Sequence, residues 1–125
     1  MATNDRKRQA PLSPPEFHIL LAVADGEKHG YAIMQEVAAR SDGRTRLGPG
    51  TLYGAVKRLL RAGLLEEAEE RPGPELDDQR RRYYRLSTAG RRVAAAEAER
   101  LTELVCEAHE KRLIKGRIVL GRLGG

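Results

Sequence analysis

Residues 49–67, PGTLYGAVKRLLRAGLLEE, contain the pattern that decides the fold. The apolar residues of this stretch recur at the spacing of one face of an α-helix. They are Leu52, Ala55, Val56, Leu59 and Leu60. We predict a helix that starts after Pro49-Gly50 and ends at Ala62-Gly63, because proline favours the first helical turn and glycine favours the residue after the last.

The opposite face of this helix is small near its start and cationic beyond. It contains Gly50, Thr51, Tyr53, Gly54, Lys57, Arg58 and Arg61, which a rotation of about 100° per residue brings together. This pattern suits the major groove of DNA, where Gly54 lets the backbone approach while Thr51 and Tyr53 reach bases or phosphates. Lys57 and Arg58 are suited to phosphate or guanine. An ordinary solvated basic surface is the alternative interpretation.

Two shorter helices precede this one. Ser13 and Glu16 have the spacing of a capping box, which predicts a first helix over about 14–24. A second begins near His29-Gly30, with His29 as its N-cap. Its first turn offers N–H groups and a positive dipole end to a phosphate, which makes Tyr31 a candidate DNA contact. A half-buried core position is the alternative for Tyr31.

A β-hairpin is predicted directly after the central helix. Residues 64–70 and 80–86 are strand-like, and 71–74 (RPGP) supplies the turn,. Residues 75–79 lengthen the tip with acidic side chains, which we expect to be mobile and to point away from DNA. Residues 46–47 are a candidate for one further short strand.

The second hairpin strand has a cationic run beside tyrosine. Its candidate DNA contacts are Arg80, Arg81, Arg82 and Tyr83, because arginine and tyrosine on a hairpin suit the sugar-phosphate backbone or a minor groove. Alternation along the strand turns Tyr83 and Tyr84 to opposite faces, so one of them is expected in the core. Cross-strand pairing with the glutamates at 66, 67, 69 and 70 is the alternative role of the arginines. We expect both roles, divided among them.

A long final helix is predicted over about 88–114, capped by Ser87. It has an apolar stripe that is expected to pair with a second chain. The stripe contains Ala94, Ala98, Leu101, Leu104, Val105 and Ala108. Cys106 lies on or near this stripe, where packing is a better explanation than nucleophilic chemistry.

Composition and spacing argue against other classes of protein. A net charge of +5 favours an anionic partner,. No apolar run approaches the length of a membrane span, and the first residues have no apolar signal core. The single cysteine fits a reducing cytoplasm,. The histidines have no metal-ligand spacing, and 48–51 (GPGT) is not a phosphate-binding loop, so we expect no enzyme, cofactor or metal.

Three motifs together resemble the PadR family of transcriptional regulators. They are HGYAIMQEV (29–37), PGTLYGAVKRLLRAGLLEE (49–67) and RRYYRLSTAGRR (81–92), and the resemblance covers about residues 13–112. It implies a winged helix-turn-helix that binds a palindromic operator as a homodimer and represses transcription. By this resemblance Thr51 to Tyr53 open the recognition helix, the 81–83 region lies on the wing, and the last helix forms the dimer.

The expected fold is therefore mainly α-helical, with a small β-hairpin wing. We expect a flexible basic arm at 1–12, a winged helix-turn-helix domain at 13–87, and a dimerisation helix and tail at 88–125. The expected partners are an operator of double-stranded DNA and a second copy of the chain. With four tyrosines, one phenylalanine and no tryptophan, whether a small-molecule effector binds stays open. The alternative function is a winged-helix module for protein–protein contact, docked through the acidic tip.

Overall fold

The computed structural model describes residues 12–41, 43–72 and 80–116. Most of the predicted basic arm, the acidic tip at 75–79 and the tail at 117–125 lie outside these residues. The elements, in chain order, are α1 (Pro14–Ala22), β1 (Lys28–His29), α2 (Gly30–Arg40), α3 (Pro49–Arg61), β2 (Leu65–Pro72), β3 (Arg80–Leu86) and α4 (Thr88–Glu110). The three strands form an antiparallel sheet in the order β1-β3-β2.

Helix α1 begins at the predicted capping box. Ser13 Oγ accepts a hydrogen bond from the backbone N–H of Glu16 (3.3 Å), and the backbone N–H of Ser13 donates to Glu16 Oε1 (2.9 Å). The helix ends at Ala22, two residues before the predicted end, where Lys28 Nζ donates to the carbonyl of Ala22 at 2.7 Å. A lysine at the carboxyl end of a helix satisfies orphan carbonyls and complements the helix dipole.

The predicted stop after α3 turns the chain from the helix into the wing. Gly63 adopts a φ of 77°, in the left-handed region that favours glycine,. Its N–H donates to Leu60 O at 3.0 Å, and the N–H of Leu64 donates to Leu59 O at 2.9 Å. This Schellman motif ends the helix and places Leu64 and Leu65 in the core, both 4% exposed or less,.

The core lies between α1, α2, α3 and the sheet. Its largest fully buried side chains are Ile19, Leu20, Ile33, Val37, Leu52 and Leu59. Tyr84 of β3 is 4% exposed and belongs to this core, so Tyr84 is the buried tyrosine that strand alternation predicts,. Burial raises the pKa of its phenol, and the negative charge of Glu67 adds to the effect.

The prediction of a short strand at 46–47 is wrong. The third strand is β1, in which Lys28 pairs with Tyr84 and His29 pairs with Tyr83. Leu47 is instead a core side chain, 7% exposed, and the segment around it is irregular. Two residues are too few to show the alternating pattern of a strand in the sequence. Which loop forms the third strand therefore depends on which one the fold places beside the edge of β3.

Helix α4 joins the domain through a close backbone contact at its first turn. Ser87 Oγ accepts from the N–H of Gly90 (2.9 Å) and donates to the carbonyl of Gly63 (2.6 Å). A Cβ at position 90 would overlap the backbone carbonyl of Leu64 and crowd Leu86, so this approach requires glycine. Helix α4 therefore starts against the junction between α3 and the wing.

The second half of α4 leaves the domain. The helix ends at Glu110, four residues before the predicted end, and Arg112 follows with a φ of 64°. Leu104 is 52% exposed and Val105 is 40% exposed. Cys106 is also exposed in the single chain, so the packing predicted for it stays a prediction that depends on a second chain.

Two further observations concern the described part of the chain. None of its helices combines the length and apolar character needed to span a bilayer. No three histidine, cysteine, aspartate or glutamate side chains within it form a group that could hold a metal ion.

Candidate nucleic-acid interface

The outer face of α3 is exposed as its periodicity predicts. Thr51, Tyr53, Lys57, Arg58 and Arg61 are exposed and Gly54 is partly so. On the opposite side, the four apolar residues that the helix buries are each 2% exposed or less. The predicted contact residues of this helix therefore lie on one face that is exposed or partly exposed.

Tyr53 rests on the first residue of α2. A Cβ at Gly30 would overlap the phenol ring of Tyr53, so glycine at this position makes room for the ring. The Tyr53 side chain is still 46% exposed, and Tyr31, the next residue of α2, is 57% exposed. A core position for Tyr31 is therefore wrong, and the exposed tyrosines lie where α3 meets the start of α2.

His29 connects this point to the wing. Its Nδ1 accepts a hydrogen bond from the backbone N–H of Ala32 at 3.3 Å, which makes it the N-cap of α2 as predicted. Its ring meets that of Tyr83 edge-on, with centroids 5.4 Å apart and an interplanar angle of 88°. Tyr83 is half-buried between this contact and solvent. The outer face of α3, the start of α2 and β3 thus adjoin, which the sequence pattern did not reveal.

The cations of α3 differ in their surroundings. Among the described residues, no salt bridge joins Lys57 or Arg61 to an acid, so both are available to an anion. Arg58 has a partner: its Nε lies 3.1 Å from Glu16 Oε2 of α1. Burial by itself would raise the pKa of Glu16, but hydrogen bonds from Ser13 and Arg58 lower it below its ordinary value. Glu16 is therefore ionised at neutral pH.

The arginines of β3 also differ in their surroundings. Arg85 pairs with Glu66 on the facing strand (2.9 Å) and with Glu27 (3.6 Å). Arg82 lies 3.4 Å from Glu67, with a side chain that is 63% exposed. Cross-strand charge pairing, the alternative role, is thus present for these two arginines. Arg80 and Arg81 belong to β3, but their side chains lie outside the part that the structure describes.

The comparison with protein families decides the identity of the fold. Residues 19–96 match the model of the transcriptional regulator PadR-like family. The chain belongs to this family. The resemblance in the three motifs is confirmed, and a winged helix with a three-stranded antiparallel sheet is the fold expected of it. The PadR-like family is a family of transcriptional regulators.

Two curated proteins match most of the chain. It is 39% identical over 100 residues to transcriptional regulator Rv3488 of Mycobacterium tuberculosis, covering 80% of this chain and 87% of that protein. It is 40% identical over 86 residues to an uncharacterized 37.1 kDa protein in transposon TN4556 of Streptomyces fradiae. That match covers 69% of this chain but only 22% of the Streptomyces protein, which is much longer.

Solved structures show the same fold. A transcriptional regulator from Clostridium thermocellum superimposes with a TM-score of 0.63 at 27% identity, covering 77% of this chain and 89% of that one. PadR of Bacillus subtilis, solved in complex with operator DNA, gives a TM-score of 0.57 at 17% identity, covering 87% and 51%. At 17% identity, the likeness to B. subtilis PadR shows a shared fold alone.

Proposed function

We propose that this PadR-like regulator binds duplex DNA sequence-specifically as a homodimer and represses transcription at a palindromic operator. The observation that carries the proposal is the single surface formed by the outer face of α3, the start of α2 and β3. Helix α3 then enters the major groove, with Gly54 at the closest approach and Thr51, Tyr53 and Lys57 near base edges. The alignment of B. subtilis PadR, which was solved on operator DNA, supports this role for the fold.

The other two segments supply contacts to the backbone. The start of α2 exposes Tyr31 beside N–H groups and the positive end of a helix dipole, which suits a phosphate,. Arg82 of β3, whose side chain is 63% exposed, is placed to contact the sugar-phosphate chain, and contacts from Arg80 and Arg81 stay predictions from the sequence. Such contacts fix orientation, while the groove contacts of α3 supply specificity.

The proposed dimer is supported by the apolar part of α4 that the single chain leaves uncovered. Leu104 and Val105 are exposed, and Leu101 and Ala108 are only partly covered. Pairing with a second α4, along the stripe that starts at Ala94 and Ala98, removes this surface from water. In this division of the chain, 13–87 binds DNA and 88–125 joins the protomers. Two recognition helices related by twofold symmetry require a palindromic site, and a bound dimer blocks polymerase in the cytoplasm.

The proposal is tested with DNA selected by the protein itself. Duplexes retained from a random-sequence pool are sequenced, and the affinity for the best duplex is compared with that for a scrambled one. Lys57→Ala should weaken specific binding by about 1–3 kcal/mol if Lys57 contacts a base, with the thermal midpoint little changed.

Lys111→Ala is the matched control for this measurement. It removes the same charge from an exposed lysine at the end of α4, which pairs with Glu107 at 2.8 Å. Any loss that it causes reports net charge rather than contact. If the wild type enriches no sequence, or if both variants weaken binding equally, the groove placement of α3 is wrong and a protein-docking role becomes the better explanation.

A further inference from the structure

Glu16 on α1 makes two separate contacts, one through each carboxylate oxygen. Oε1 accepts the backbone N–H of Ser13 at 2.9 Å and so closes the capping box. Oε2 accepts Arg58 Nε at 3.1 Å, 42 positions further along the chain. The capping box thereby fixes the carboxylate, and the carboxylate in turn holds the arginine of α3.

The Arg58 guanidinium lies on the outer face of α3, near Gly54 in the first half of the helix. Arg58 Nη1 lies 3.8 Å from the point that a Cβ at Gly54 would occupy, so the side chain turns back over Gly54 by one helical turn. Because Glu16 engages the Nε–H, the two terminal Nη groups keep their N–H donors for another acceptor. Two parallel N–H donors at this position match the O6 and N7 acceptors of guanine.

The ion pair contributes little to the stability of the fold. The Arg58 side chain is 57% exposed, and exposed ion pairs contribute little because water screens them,. Orientation is the more important consequence. An arginine loses considerable rotamer freedom when it is fixed on a ligand, and holding it beforehand reduces that entropic cost.

We propose that Glu16 is a positioning residue that holds Arg58 across Gly54 for sequence readout in the major groove. This inference rests on the proposed DNA-binding function, which it deepens by assigning one specificity contact. Glu16 itself does not touch DNA in this arrangement. The target of Arg58 is a guanine edge, the base that presents two acceptors side by side in the major groove.

The test compares Glu16→Gln with Ser13→Ala in the full-length protein. Glutamine at the third helical position still accepts the Ser13 N–H through its amide oxygen, but it turns an NH₂ group toward Arg58 and so loses the pair. Ser13→Ala removes the hydroxyl cap and leaves both bonds of the Glu16 carboxylate in place. The measured quantity is the ratio of affinities for the wild-type-selected duplex and a scrambled duplex at one salt concentration.

Glu16→Gln should lower this ratio roughly tenfold, the size of one good arginine–guanine contact. Ser13→Ala should lower the thermal midpoint and leave the ratio unchanged. Arg58→Ala should lower the ratio similarly, and the double variant Glu16→Gln/Arg58→Ala should be no worse than Arg58→Ala alone. Removing the negative charge of Glu16 raises the affinity for both duplexes, and the ratio of the two affinities cancels this general gain.

Three results would overturn the inference. The first is an unchanged or raised ratio in Glu16→Gln, which would make Glu16 either irrelevant or a competitor of DNA for Arg58. The second is a loss of the ratio in Ser13→Ala as well, which would show an effect of helix capping. The third is full additivity with Arg58→Ala. If Lys57→Ala weakens binding while Glu16→Gln leaves the ratio unchanged, only this inference fails and the proposed function stands.

Discussion

Gly90→Ala is expected to destabilise the protein, although alanine normally stabilises a helix. Position 90 lies in the first turn of α4, where the new Cβ would overlap the carbonyl of Leu64 and approach Leu86 Cδ1 within 2.9 Å. The Leu64 carbonyl is backbone and accepts the N–H of Ser87 at 3.2 Å, so it cannot move without disturbing the start of α4.

The expected magnitude combines two opposing effects. Overpacking against backbone costs about 3 kcal/mol, the upper end for an added methylene in a packed site. Alanine recovers about 1 kcal/mol of helix propensity relative to glycine. The net loss is about 2 kcal/mol, which corresponds to a fall in thermal midpoint of roughly 6–10 °C for a domain of this size.

Gly54→Ala is the matched control. It is the same substitution inside α3, where the new Cβ would meet only Arg58 Nη1 at an ordinary contact distance of 3.8 Å. It should raise the free energy of unfolding by about 0.5–1 kcal/mol. Thermal and urea denaturation at one fixed protein concentration measure both variants, because the unfolding midpoint of any protein that dimerises depends on its concentration. If Gly90→Ala is as stable as the wild type, the close approach of α4 to Leu64 is wrong.

Three other predictions concern assembly, pH and the wing. Leu104→Asp should convert the proposed dimer to a monomer in sedimentation without unfolding the chain, because Leu104 is 52% exposed in the single chain; a dimer that persists would exclude α4 as the dimer interface. Burial, followed by the charge of Arg40, lowers the pKa of His18 below its ordinary 6.5, so the folded state binds fewer protons than the unfolded state. The free energy of unfolding should therefore fall as the pH drops below 6.5, and His18→Gln should flatten that dependence in urea titrations between pH 5 and 7, roughly the range in which histidine titrates. Neutralising the three arginines at 80–82 should reduce the slope of log K against log salt by roughly two to three units per protomer; an unchanged slope would mean that the wing does not touch DNA.

The sequence by itself determined the elements whose signals are local. The capping box at Ser13 and Glu16, the apolar stripe of α3 and the glycine stop at Gly63 each depend on residues within about one or two helical turns. The hairpin depends on strand alternation and turn residues of the same range. Local signals of this kind place helices and strands in the correct order, and the order of three helices, a hairpin and a long helix already indicated a winged helix.

Only the tertiary structure decided which of these local features meet. Lys28 and His29 form a strand because β3 runs beside them, whereas residues 46–47 pair with no strand of that sheet and Leu47 packs in the core. Arg58 belongs to the candidate interface on periodicity alone, yet its orientation depends on Glu16, 42 positions away. Gly30 makes room for Tyr53, 23 positions away, and Gly90 makes room for the carbonyl of Leu64, 26 positions away. Such contacts arise when helices pack and backbones approach, and side-chain periodicity within one element contains no information about the element that it will meet.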